Sequence, residues 1–286
     1  MRRVPIPPKP SSLDSLEAER ERVAVAAFYA VPANKSRKCD EDFRAYKAGD
    51  VKEALHKAFR GKCAYCESPI EATHPLVVEH FRPKGGVKIN GKFQRPGYHW
   101  LASRWDNLLP SCIDCNRPRG QDFPFGRKPA TAGKANQFPI SSEQRRATAD
   151  GEETREDPLL LHPYFDDPAE HLEYIWTKPG SLELGEIVAR QRGAQKSLKG
   201  QTSIDVYALQ RVGLIRQRAE RLTLLLGQLE LLAETREKIE KRGGDPDLKP
   251  VFTRILGEVN KFLGPDKPYS GMCRQVVRAF FTRVFP

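Results

Sequence analysis

The sequence predicts an α+β protein in which a small strand-and-turn centre is embedded in a mainly helical body. Three observations carry that expectation. A Cys-x-x-Cys pair stands at each end of residues 63–120, and between the pairs PLVVEHF reads as a short β-branched strand. Roughly the last hundred residues are helical in pattern, with Leu222, Leu225, Leu229 and Leu232 spaced by three and four.

Taken in order, residues 1–12 hold four prolines and no periodic pattern, which describes an extended arm that orders on a partner. Ser12 or Asp14 then caps a helix over residues 16–29, with Leu16, Val23, Ala26, Ala27, Phe28 and Tyr29 as its apolar face and Pro32 as its stop. A second helix over 50–60 carries Val51, Leu55, Ala58 and Phe59 and stops at Gly61. CAYC is a tight turn, PLVVEHF the strand, and 82–96 a long polar connection containing Gly-Gly and Asn-Gly. A helical turn is expected at 98–105 and a second strand at 107–110. A short helix at the second Cys pair carries Asn116, and Pro118 suits only that helix's first turn.

Residues 126–157 are poor in apolar side chains and read as a surface excursion. EYIW is strand-like, and Gly180 and Gly185 punctuate a hairpin. A long amphipathic helix spans 205–241 and closes at Gly243 and Gly244; helices over 247–262 and 270–284 follow. The chain thus divides into an arm and helix (1–49), a central core (50–126), an excursion and hairpin region (127–200) and a C-terminal helical region (201–286).

At 286 residues the chain can bury a core of its own. Its formal net charge of +11 and pI near 9.4 attract polyanions, nucleic acid first and an anionic membrane surface second. Four of the six cysteines fall into the two pairs, which argues for metal thiolates in a reducing compartment rather than a disulfide framework. The opening residues lack the apolar run of a secretory signal. No window approaches the roughly 20 apolar residues of a membrane span, so a soluble, cytoplasmic protein is expected.

Cys63, Cys66, Cys112 and Cys115 can supply four thiolates to one tetrahedral zinc. Two independent dithiols, or a thioredoxin-like redox pair, are the alternatives. Glu79 and His80 end the first strand, where a bend lets one bind a cation while the other meets substrate; Asn107 and Asn116 follow. Singly these are a solvated charge, a surface histidine, a turn former and a cap. Bracketed together by the thiolate pairs, they point to metal-dependent hydrolysis. Arg82, Lys84, Arg117 and Arg119 flank the site as candidate phosphate contacts, against the alternative of solvated loop charges. Trp100 and Trp105 are expected to pack beneath the zinc knuckle and His56 within its helix. His74 and His99 are candidate accessory ligands, and Asp157, His162, Asp166 and His171 a candidate second cluster.

VEHFRPK, WDNLLPSC and CxxCN resemble the His-Asn-His (HNH) endonucleases, whose ββα-metal core folds around one divalent cation. The fuller wording CAYCES, VEHFRPK, YHWLASRWDNLLPSCIDCN and FPF is similar to the HNH proteins of Septu-type and retron-associated anti-phage systems. DPLLLHPYFDDPAEH and SIDVYALQRVGLIRQR extend the similarity to roughly residues 50–220. The resemblance implies His80 as general base, Asn107 as the residue that orients it, and Glu79 and Asn116 as ligands of the catalytic ion. The last motif position is often His and here Asn; the acid before the base is often Asp and here Glu. That oxygen-only pair favours Mg²⁺ or Mn²⁺, alongside structural Zn²⁺ at the cysteines. The resemblance also implies a defence effector acting on nucleic acid with an SMC-like or ABC-like ATPase, which the C-terminal helices and the N-terminal arm would contact. A non-catalytic zinc-dependent nucleic-acid-binding module and a stand-alone restriction or toxin-type nuclease are the rival readings.

Overall fold

The structure, a computed structural model, describes residues 1–39, 43–70, 76–124, 126–177 and 183–284. Among these residues it is a mixed protein of seven α-helices and five two-stranded antiparallel sheets.

Helix α1 (Leu16–Ala30) starts where the Ser15 hydroxyl accepts from the Ala18 N–H at 3.1 Å, so the cap is Ser15 rather than Ser12 or Asp14. Its buried face is Ala18, Glu21, Val25 and Tyr29, while Leu16 and Val23 are exposed, so the expected apolar face is rotated. Glu21 explains the difference: its carboxylate accepts the backbone N–H groups of Arg44 and Ala45 at 2.6 and 3.2 Å, which satisfies a buried charge that periodicity counts as surface. Helix α2 (Gly49–Phe59) buries Val51, Leu55 and Phe59 and closes on Arg60 in the left-handed region. The N-terminal arm departs from expectation. Met1 and Val4 are buried within the chain, the Val4 N–H donates to the Pro163 carbonyl at 2.9 Å, and the Trp105 indole N–H donates to the Pro7 carbonyl at 2.8 Å.

At the centre, β1 (Val77–His80) pairs antiparallel with β4 (Leu108–Ser111), His80 opposite Leu108 and Val77 opposite Ser111. Between them the expected polar connection folds into a hairpin of β2 (Val87–Ile89) and β3 (Lys92–Gln94). Its turn is Asn90-Gly91, both at positive φ, as a two-residue turn of this hand requires. Two 3₁₀ turns, His99–Leu101 and Trp105–Asn107, then lead into β4. Helix α3 (Ile113–Asn116) ends at Asn116, so Pro118 lies beyond the helix rather than in its first turn. A further hairpin, β5 (Arg119–Gln121) with β6 (Ala130–Ala132), follows it.

The chain then folds back over the centre. A Cβ at Gly133 would lie 2.1 Å from the Arg117 carbonyl oxygen, so only glycine permits this approach. Lys134 and Phe138 beyond it are fully buried, and the predicted excursion is therefore partly core.

β7 (Leu172–Tyr174) pairs with β8 (Ile187–Ala189), and the short β9 (Gln191–Arg192) with β10 (Gln195–Lys196). Gly180 lies outside the described residues. The expected helix from residue 205 is broken into α4 (Leu198–Val206) and α5 (Val212–Lys241), with Ala208 at positive φ between them. The break turns Tyr207 onto Tyr65, ring centroids 3.9 Å apart, so the C-terminal region stacks directly on the first Cys pair's turn. Leu222, Leu225, Leu229 and Leu232 are fully buried, each worth about 1.5–3 kcal/mol of apolar burial. Helices α6 (Leu248–Asn260) and α7 (Ser270–Val284) complete the chain. None of the described helices is long and apolar enough to cross a membrane.

Candidate metal centre and catalytic site

The two Cys pairs meet. The knuckle turn is fixed by the Glu67 N–H on the Cys63 carbonyl (3.0 Å) and hung on β4 by the Ala64 N–H on the Pro110 carbonyl (2.8 Å); Cys112 precedes α3 and Cys115 lies within it. The four sulfurs are buried and lie within 4.8 Å of one another, with Cys66 and Cys112 sulfurs 3.8 Å apart. A tetrahedron of roughly 2.3 Å metal–sulfur bonds has edges of about 3.8 Å. The set can hold a metal ion such as zinc, and among the described residues it is the one group of three or more His, Cys, Asp or Glu ligand atoms so arranged. Hydrogen bonds from the other three thiols, with the Arg211 charge behind them, hold the Cys66 thiol well below the ordinary range.

Arg211 is the residue that spacing arguments missed. It precedes α5, is buried, and directs its guanidinium at Cys115 and Cys66 (3.6 Å each) and Cys112 (3.9 Å). Burial opposes its charge and the thiolates more than offset that, so it stays protonated. Its charge would partly neutralise a metal held by the four thiolates, and its contacts tie the start of α5 to the cysteine set. Arg211→Met, which keeps the stem, is expected to weaken zinc retention about 10- to 100-fold, read by competition with a chromophoric chelator.

His80 and Glu79 leave β1 in different directions. The His80 imidazole lies edge-on to the Tyr46 ring, centroids 4.6 Å apart, and its Nε2 is 2.8 Å from the Ala102 carbonyl oxygen. A carbonyl only accepts, so Nε2 carries the proton and Nδ1 is the basic nitrogen. Burial, assisted by the charges of Lys84 and Lys134, pushes the imidazole down to about 3 against the Ala102 hydrogen bond, which keeps it neutral.

The Asn107 side chain is spent on backbone hydrogen bonds. Its Oδ1 accepts the Arg82 N–H (2.7 Å), and its Nδ2 donates to the carbonyls of Arg82 and Leu101 (3.1 Å each). It thereby fixes the backbone two residues after His80 and one residue before Ala102. Asn107→Ala strands the Arg82 N–H, with an expected loss of about 1–3 kcal/mol in stability by urea unfolding.

Glu79 meets a cation that the sequence reading did not anticipate. Its Oε1 accepts from the Lys134 ammonium at 2.6 Å, and the same ammonium donates to the His80 carbonyl at 2.8 Å. The Lys134 N–H donates to the Cys115 carbonyl (2.9 Å) and the Ala135 N–H to the Asn116 carbonyl (2.6 Å), so this segment bridges β1 and the end of α3. Glu79 and the half-buried Asn116 stand on the two elements that Lys134 joins. A carboxylate and an amide are the donor types that a hard ion keeping most of its water takes, and Lys134 already sets one positive charge against Glu79.

Of the four flanking cations, Arg82 is drawn inward to Glu156 (2.8 Å) and over the Phe138 ring, and serves as a strut. Lys84 is half-buried over Tyr46, close to His80. Arg117 and Arg119 are exposed, Arg119 paired with Asp114 at 3.0 Å. Trp105 is buried and Trp100 half-buried. His56 lies half-buried on α2. His99 stacks near Tyr29, and burial lowers it to about 4; His74 lies outside the described residues. The Asp157 to His171 residues form no metal cluster among the described residues: His162 bonds the Asp106 carbonyl and the Tyr164 N–H, Asp166 pairs with Lys199, and His171 bonds Ser197.

No family model matches the chain. It is 37% identical over 253 residues to the Septu protein PtuB of Bacillus mycoides (strain KBAB4), covering 84% of this chain and 77% of that protein. It is 38% identical over 71 residues to the Septu protein PtuB of Bacillus thuringiensis, 24% of this chain and 23% of that one. A stretch of 173 residues, 59% of this chain, is 29% identical to 20% of the Septu protein PtuA of Bacillus mycoides (strain KBAB4).

Proposed function

Because the chain belongs to the Septu PtuB family of anti-phage defence proteins, we propose that it is an HNH endonuclease that hydrolyses nucleic-acid phosphodiester bonds. The observation that carries this reading is the His80 imidazole, kept neutral, with Nε2 held on Ala102 so that Nδ1 carries the lone pair, beside Glu79 at the end of a strand next to α3.

Nδ1 takes a proton from water as the water oxygen bonds to phosphorus. The bond from phosphorus to the 3′ oxygen breaks, and that oxygen leaves to be protonated from solvent. Asn107 keeps the imidazole aimed by fixing the backbone around Arg82 and Leu101. Glu79 and Asn116 would hold Mg²⁺ or Mn²⁺, which supplies Lewis-acid stabilisation to the phosphate and the leaving oxygen. Zinc at Cys63, Cys66, Cys112 and Cys115 has a structural role. Lys84, Arg117 and Arg119 contact phosphates, and the net charge of +11 raises the encounter rate with nucleic acid.

The two Septu names among the relatives, PtuA and PtuB, support a two-protein defence system, in which the partner of this chain is an SMC-like or ABC-like ATPase. The exposed Leu224 and Leu231 on α5 favour the C-terminal helical region as the contact. End-group analysis of cleaved strands tests the chemistry: ligatable 5′-phosphates with 3′-hydroxyls are expected, and 3′-phosphate ends would contradict it.

A further inference from the structure

Lys134, paired with Glu79, is the residue that the proposed function leaves unused. Lys134 has no exposed surface, and the Glu79 side chain is 10% exposed. An ion pair so desolvated is unlike the surface pairs elsewhere in the chain, because removing either charge leaves the other buried without compensation. Nor is Lys134 held for packing alone: its ammonium is coordinated by a carboxylate oxygen at 2.6 Å and a backbone carbonyl oxygen at 2.8 Å. Two oxygens around a positive charge form the beginning of a hard-cation site.

Tyr65 and Tyr207 are buried near Glu79; burial pushes both hydroxyls well above their ordinary range, and the Glu79 charge adds to that shift. The Tyr65 and Tyr207 rings stack with centroids 3.9 Å apart.

We propose that the Lys134 ammonium occupies the cation position of Glu79, so that Lys134 and a divalent ion are alternative counter-charges for this carboxylate. This rests on the reading of Glu79 as an ion ligand and adds a residue that sets the ion's affinity. A dication entering beside the ammonium meets like-charge repulsion at a few ångströms in a poorly screened site. Wild-type protein therefore binds Mn²⁺ weakly, and the ammonium withdraws from Glu79 when the ion enters. Lys134 is a positioning residue, since it acts through Glu79 and not on phosphate.

The test uses the zinc-loaded full chain in metal-depleted buffer, with Mn²⁺ as probe, free Mn²⁺ counted by electron paramagnetic resonance, and Mg²⁺ as competitor. Lys134→Met is expected to bind Mn²⁺ at least about tenfold more tightly than wild type, with an unfolding temperature that climbs on adding Mn²⁺. Adding Glu79→Gln to that variant is expected to abolish both effects. A Lys134→Met protein that binds no tighter than wild type, or whose binding survives Glu79→Gln, overturns the proposal. A second measurement needs no variant: acylation of wild-type Lys134, followed by peptide mass spectrometry, should rise at saturating Mn²⁺. Unchanged labelling at saturation overturns the proposal even if Lys134→Met fails to fold. None of these readouts uses cleavage, so a chain that binds Mn²⁺ as described but cuts nothing rejects the nuclease reading alone.

Discussion

Replacing His80 with alanine is expected to slow phosphodiester cleavage by about 10²- to 10⁴-fold, the usual contribution of a positioned general base. Single-turnover kinetics at saturating protein isolate the chemical step from binding. The side chain is buried and bonded to Ala102, so part of any loss could come from unfolding. His80→Asn separates the two effects, since it retains a donor for the Ala102 carbonyl but no group able to take a proton from water. Both variants should keep their zinc, because His80 packs on Tyr46 and is not one of the four clustered cysteine ligands. A wild-type rate in either variant would remove His80 from the mechanism.

Cys115→Ser is expected to have the largest effect on the fold. Cys115 is fully buried within α3, its carbonyl receives the Lys134 N–H, and its sulfur faces Arg211. Loss of one thiolate releases the ion and leaves a buried guanidinium aimed at an incomplete set. Structural zinc is worth on the order of 10 kcal/mol in small zinc domains, comparable with the whole stability of many proteins. Metal analysis should therefore fall from about one zinc per chain toward none, with loss of a cooperative unfolding transition. Cys39→Ser and Cys273→Ser are the controls. Cys39 is half-exposed, Cys273 is buried on α7 where burial lifts its thiol to about 11, and neither belongs to the cluster.

Much of the centre was legible because its signals are local. The two Cys pairs, the β-branched strand and the leucine spacing each state a geometry within a few residues, and β1, α3, α5 and the sulfur cluster stand close to where those signals put them. The misreadings share a cause, which is that long-range partners decided burial. Glu21 is buried because Arg44 and Ala45 supply donors. The N-terminal arm lies packed because Pro163 and Trp105 bond to it. Lys134 and Arg211 were invisible in sequence for the same reason, since each is an ordinary cation until the fold sets it against Glu79 or the thiolates. Gly133 was the available hint: the glycine before Lys134 allows the backbone approach that carries the ammonium inward.

The two readings of this protein, hydrolase or non-catalytic binding module, part most cleanly on one measurement. The zinc-loaded chain, alone and with its Septu partner, is incubated with plasmid, single-stranded DNA and tRNA at neutral pH, with and without added Mg²⁺. Cleavage of at least one substrate that requires Mg²⁺ is predicted. Binding of nucleic acid with no strand cut under any of these conditions, with both proteins present, would contradict the account.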